Sequence, residues 1–122
     1  MKRKSAIADA LRMQKSAARQ GFDWGRPGPL WDKLQEEIGE LREVARDPVR
    51  GQEELGDLLF MVVNLARHYG LDPERALRGG NRKFMRRYGY ILKHAKHLPP
   101  LGHPRRLAQM EKLWQKAKRR GL

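Results

Sequence analysis

The sequence predicts an all-α protein, a bundle of about five helices. Three observations lead there. Apolar residues recur three and four apart in segments separated by Gly-, Pro- and Asp-containing breaks. No stretch alternates with the period of two that a half-buried strand needs. And residues 51–70 open acidic at Glu53 and Glu54, turn apolar from Leu58 to Val63, and close on Arg67 and His68 before Gly70. Acids in a first turn, bases in a last turn and glycine just beyond are helix boundary signals. A helix apolar on nearly every side is expected in the middle of a core.

The other elements follow in chain order. Residues 5–19 form a first helix on Ile7, Ala8, Leu11 and Ala18. The Gly- and Pro-rich segment 21–29 is a loop whose Phe22 and Trp24 either pin it to the core or stack on a ring. A second helix is expected from about Leu30 to Arg46, with Leu30, Leu34, Ile38 and Leu41 as its apolar stripe and Glu36, Glu37, Glu40 and Glu43 on the flanks. Asp47, Pro48 and Gly51 form a short turn into the central helix, which makes the two helices antiparallel neighbours. Asp72 caps a fourth helix with Pro73 in its first position, and this helix runs to about Lys96 despite the weakening pair Gly79-Gly80. Phe84, Tyr88 and Ile91 are its packing side. A last amphipathic segment, 104–120, presents Leu107, Met110, Leu113, Trp114 and Ala117.

At 122 residues the chain is read as one domain, 1–122, with a basic N-terminal tail at 1–4 and a basic C-terminal tail at 116–122. It has no cysteine, hence neither disulfides nor a thiolate metal site. Met1-Lys2-Arg3-Lys4 leads into Ser5, Asp9 and Arg12 rather than an apolar signal segment, and the longest apolar run is far too short for a bilayer, so a cytoplasmic location is expected. The net charge of +13 favours polyanions and is read as distributed along the chain, with its densest run at Lys116–Arg120. Aromatic residues are too few for a single-strand stacking platform.

Chemistry concentrates in two acidic pairs. Glu37 and Glu40 stand three apart on the second helix, and Glu54 and Asp57 three apart on the central one. Either pair alone can be a solvated helix face. Facing one another across an antiparallel seam, four carboxylates repel, and a hard divalent cation relieves them: Mg²⁺, with Mn²⁺ able to substitute, takes oxygen ligands in this way. The four histidines do not make a ligand set, and the two serines sit in no nucleophilic triad. The glycines match neither a phosphate-binding loop nor a dinucleotide fingerprint.

Glu-x-x-Glu, thirteen residues, then Glu-x-x-Asp is similar to the metal signature of the MazG-type nucleoside triphosphate pyrophosphohydrolases. Further words agree in order: Arg19–Trp24, Leu34–Leu41, Glu54–Phe60, Val63–Arg67, Asn81–Phe84 with Arg86-Arg87, and Met110–Trp114. The resemblance covers roughly residues 17 to 118 and is closest to the catalytic C-terminal half of two-domain MazG, whose other half this chain lacks. It implies hydrolysis of nucleoside triphosphates to monophosphate and pyrophosphate. Glu37, Glu40, Glu54 and Asp57 would hold Mg²⁺, and Lys83 and Arg87 would grip the triphosphate. Trp114, Phe22 and Trp24 would flank base or ribose, Asn64 would order ligand or water, and Asn81 would stand beside the phosphate-binding pair. It also implies a homodimer or larger assembly that completes the metal site. Gly39 and Gly79-Gly80 depart from the family's better helix formers. The competing expectation is a catalytically inactive basic helical protein that binds nucleic acid. For the enzyme, nucleic acid is a secondary partner and membrane none.

Overall fold

The computed structural model describes residues 5–23 and 25–122, so the basic tail at 1–4 and Trp24 lie outside the described residues. Five α-helices account for most of them: α1 (Ala6–Arg19), α2 (Pro27–Val44), α3 (Pro48–His68), α4 (Pro73–Lys93) and α5 (Arg106–Arg119), with a 3₁₀ turn at Ala95–His97. No strand occurs among the described residues. No helix there is long and apolar enough to cross a membrane. The chain divides into two compact units, Met1–Ala76 and Leu77–Leu122.

In the first unit α3 is the central element, packed against both α1 and α2. Ser5 caps α1 by accepting from the Ala8 amide at 3.4 Å, and its hydroxyl donates to the Glu74 carboxylate. The helix stops at a left-handed Gly21 (φ 86°), where Phe22 N–H returns to the Ala17 carbonyl. α2 begins at Pro27, three residues before the expected start, because a proline with its fixed φ suits a first turn. α3 likewise starts earlier than its sequence pattern. Asp47 is its N-cap, accepting from Val49 and Arg50 amides at 3.0 and 3.1 Å, and Pro48 opens the helix. Gly51 is therefore not in the turn but buried inside the first turn of α3.

Leu30, Met61 and Leu65 form the core between α2 and α3, with Leu34 packed on it. Two expectations are corrected here. On a 100° helical wheel Glu37 lies about 20° from Leu30 and Ile38 about 80° away, so Glu37 is buried and Ile38 is 49% exposed. Glu37 is thus a member of the inward stripe, not a flank. Nor is α3 buried all round. Met61, Val63, Asn64 and Leu65 face inward, while Leu55, Leu59, Phe60 and Val62 remain exposed.

The second unit comprises the rest of α4, the 3₁₀ turn and α5. Asp72 caps the start of α4 through the Arg75 amide at 3.1 Å, and the helix passes through Gly79-Gly80 unbroken. It ends at Lys93, short of the expected Lys96, where a tighter turn leads into Pro99-Pro100. Tyr90, Ile91 and Ala117 are buried, and Phe84 meets Tyr88 and Trp114 at ring separations of 5.6 and 5.7 Å. A groove of about 1450 Å³ runs beside Trp114, Phe84 and Leu98.

The boundary between the units is also a charge boundary. Through Ala76 thirteen Lys and Arg face thirteen Asp and Glu; from Leu77 on there are fourteen against Glu111 alone. The +13 is not distributed along the chain but belongs to its last 46 residues.

Candidate metal and nucleotide site

The acidic pairs come from facing turns of α2 and α3, which the three-residue connection Ala45–Asp47 brings back antiparallel. Their separation is set by Gly51. A Cβ there would meet the Ala45 and Val44 carbonyl oxygens at 3.1 and 3.2 Å, so only glycine lets the first turn of α3 approach the end of α2 so closely.

Across that seam, one carboxylate oxygen from each of Glu37, Glu54 and Asp57 lies within 4.8 Å of the other two. Glu37 is buried, Glu54 half-buried and Asp57 exposed, so the cluster grades from core to solvent. Glu37 Oε2 and Glu54 Oε2 are sealed from solvent without a hydrogen-bond partner. Burial pushes the Glu54 carboxyl above its usual range, and the neighbouring Glu40, Glu37 and Asp57 charges push it further. Lys33 stands 3.6 Å from Glu37 and 3.7 Å from Glu36, and chiefly Glu36 holds its ammonium above the usual lysine value. One half-exposed lysine is a weak counterweight to three carboxylates.

The residues fit a hard divalent cation. The donors are all carboxylate oxygens, two of them orphaned, with no thiolate or imidazole in the group. Glu40 is not in this trio, although it is near enough to raise the Glu54 carboxyl.

The remaining expected residues fall into two further groups. Asn64, one of the most buried side chains, and the exposed Phe22 line a pocket of about 220 Å³ at the α1–α3 junction. Asn64 Oδ1 accepts from Arg67 Nε and Nη2 at 3.2 and 2.8 Å. Asp23 holds the same guanidinium through two contacts at 3.1 and 2.6 Å and stands 3.0 Å from His68 Nε2. Asp23 was not among the expected site residues. Its only signal was its place in the loop segment 19–24, since nothing local pairs it with a residue 44 positions away.

In the second unit, Asn81 and Lys83 are exposed on α4. Arg87 is anchored: its guanidinium lies 5.2 Å from the Trp114 ring centre, and Nε donates to the Leu122 carbonyl at 2.9 Å.

The profile of the MazG nucleotide pyrophosphohydrolase domain matches residues 28–92, a span that holds all four acids, Asn64, Lys83 and Arg87. The chain belongs to the MazG nucleotide pyrophosphohydrolase domain family. It is 39% identical over 123 residues to the nucleoside triphosphate pyrophosphohydrolase/pyrophosphatase MazG of Thermotoga maritima. It is 43% identical over 120 residues to the nucleoside triphosphate pyrophosphohydrolase of Escherichia coli K12. Each alignment takes in 93% of this chain but only 44% and 45% of the relative, so the chain spans less than half the length of these MazG proteins. YabN of Bacillus subtilis is 46% identical over 65 residues, 53% of the chain and 13% of that protein.

Proposed function

We propose that this MazG-family chain hydrolyses nucleoside triphosphates to nucleoside monophosphate and pyrophosphate with Mg²⁺, residues 1–122 acting as one MazG-like domain in the cytoplasm. The observation that carries this reading is the Glu37–Glu54–Asp57 cluster, with its two orphaned buried oxygens, in a chain of this family.

Glu37, Glu54 and Asp57 would hold the ion, with Glu40 at the rim. A bound Mg²⁺ supplies charge neutralisation on the phosphates and a more acidic water. Phosphoryl and nucleotidyl displacement otherwise needs positioning and positive charge rather than covalent help. Lys83 and Arg87 provide that charge four residues apart on α4. Trp114 and Phe22, with Trp24, would cover base or ribose. The exposed apolar residues Ile38, Leu55, Leu59 and Val62 support assembly into a homodimer or a larger homo-oligomer.

Pyrophosphate release from a panel of nucleoside triphosphates, with Mg²⁺ and with chelator, tests the reading. Metal-dependent release with matching monophosphate, abolished in Glu54→Gln, is the expected result. Release that survives both chelator and Glu54→Gln refutes it. The charge of the second unit favours a secondary affinity for nucleic acid in addition. That affinity falls steeply with salt, with a log–log slope of about −0.7 for each single-strand phosphate contact.

A further inference from the structure

The pocket at the α1–α3 junction is lined by Met13, Gln14, Phe22, Phe60, Asn64 and Arg67. Its walls are mostly apolar, yet two primary amides reach it, and both are more than nine-tenths buried. Each amide has one end tied. Gln14 Nε2 donates to the Phe60 carbonyl at 3.0 Å, which leaves Oε1 as the free end. Asn64 Oδ1 accepts from Arg67, itself clamped by Asp23, which leaves Nδ2 as the free end. Turning either amide over would set donor against donor or acceptor against acceptor. The two free ends, Gln14 Oε1 and Asn64 Nδ2, are buried and have no hydrogen-bond partner. The pocket therefore offers one fixed acceptor and one fixed donor, both unsatisfied, between Phe22 and Phe60. Buried polar atoms of native proteins are nearly always satisfied, so an unpaired set pointing into a pocket calls for a ligand or trapped water.

We infer that Gln14 and Asn64 read the edge of a nucleobase. Gln14 Oε1 accepts from an exocyclic amino group or ring N–H. Asn64 Nδ2 donates to the adjacent ring nitrogen or carbonyl, and the two phenylalanines cover the ring. A base edge carries a donor beside an acceptor, and a flat ring suits an apolar slot of this size. Gln14 is then a specificity-determining residue and Asp23 a positioning residue that acts through Arg67 on Asn64. The inference rests on the reading that the chain takes nucleotides, but it is tested without catalysis.

The probe is the unphosphorylated nucleoside, titrated calorimetrically in metal-free buffer. Adenosine, cytidine, uridine and guanosine are each compared with a counterpart whose donor is removed or blocked: purine riboside, 2-pyrimidinone riboside, 3-methyluridine and 1-methylguanosine. Wild type should bind at least one parent nucleoside about 10- to 100-fold more tightly than its counterpart, the range expected when a buried polar group is left unpaired. In Gln14→Leu that gap should collapse towards one, because the acceptor is gone. Equal binding of every parent and its counterpart by wild type overturns the inference, whatever the folding of the variant. So does a gap that persists in a folded Gln14→Leu. No nucleoside binding up to millimolar concentration also overturns it and leaves a pocket filled by water only. Pyrophosphate release measured in parallel separates the two failures. Release without a nucleoside gap sinks this site alone, and a gap without release sinks the catalytic reading alone.

Discussion

Gly51→Ala sets two effects of known sign against each other. Within a helix, alanine is favoured over glycine by about 0.8–1.0 kcal/mol. Against that, the new Cβ meets the Ala45 and Val44 carbonyl oxygens at 3.1 and 3.2 Å and the Ala45 carbonyl carbon at 3.4 Å. These are backbone atoms, so relief requires the end of α2 to move rather than a side chain to turn. Overpacking of this kind costs about 1–3 kcal/mol. The net expectation is a loss of about 1 kcal/mol. Gly80→Ala is the internal control: it lies inside α4 with nothing within 4 Å of its added Cβ, so it should gain about 0.5–1 kcal/mol. Urea unfolding followed by helical circular dichroism compares the two variants, which should differ by about 1.5–2 kcal/mol in opposite directions. Because Glu37 rides on α2 and Glu54 and Asp57 on α3, Gly51→Ala should also weaken stabilisation by Mg²⁺. A Gly51→Ala protein as stable as Gly80→Ala, with Mg²⁺ stabilisation intact, would refute the close-approach argument.

Mg²⁺ at a hundred times its dissociation constant should raise the unfolding free energy by about 2.7 kcal/mol in wild type and by much less in Glu37→Gln, read by thermal melts against chelator. For the metal-free protein, the raised Glu54 carboxyl fixes the sign of the pH effect. The native state holds its proton to higher pH than the unfolded chain does, so stability contributed by this group falls as pH rises through and above the ordinary carboxylate range. Glu54→Gln should flatten that fall, and melts at pH 4.5 and 7 in chelator check it. Asp47→Ala removes the cap that accepts from two amides at the start of α3 and should cost about 1 kcal/mol, measured by denaturant unfolding.

Most of the secondary structure was legible because the helix signals were local. Asp72 as cap, Pro73 in the first turn and Gly70 past the end of α3 each act over a few residues. What misled was geometry that single letters do not carry. Choosing Ile38 over Glu37 for the inward stripe follows from preferring apolar residues, yet the helical angle favours 37 and a glutamate is buried there. The turn was read through Gly51 because glycine usually marks loops; here it marks contact between two helices. The acidic spacing identified the α2–α3 cluster, but which three of four acids converge depends on the crossing of the helices. The tie between Asp23 and Arg67 is a long-range contact with no periodic trace. The charge boundary at Ala76 was countable from the start and became meaningful only once the two units were visible.

The carboxylate cluster is poorly explained as a device for stability. Three acidic side chains converge, two of their oxygens are buried without partners, and Lys33 as the nearest cation is half exposed. An unpaired buried polar group costs about 1–3 kcal/mol, and more when charged. Leu30, Met61 and Leu65 work in the other direction, each contributing about 1.5–3 kcal/mol by burial on the same seam. The apolar core of α2 and α3 is thus adjacent to the acids and holds them together against their repulsion. Replacing Glu37 with a leucine, which its place in the inward stripe would accept, should make the metal-free protein more stable. That the sequence keeps a glutamate there instead is an argument that the site is maintained for a cation.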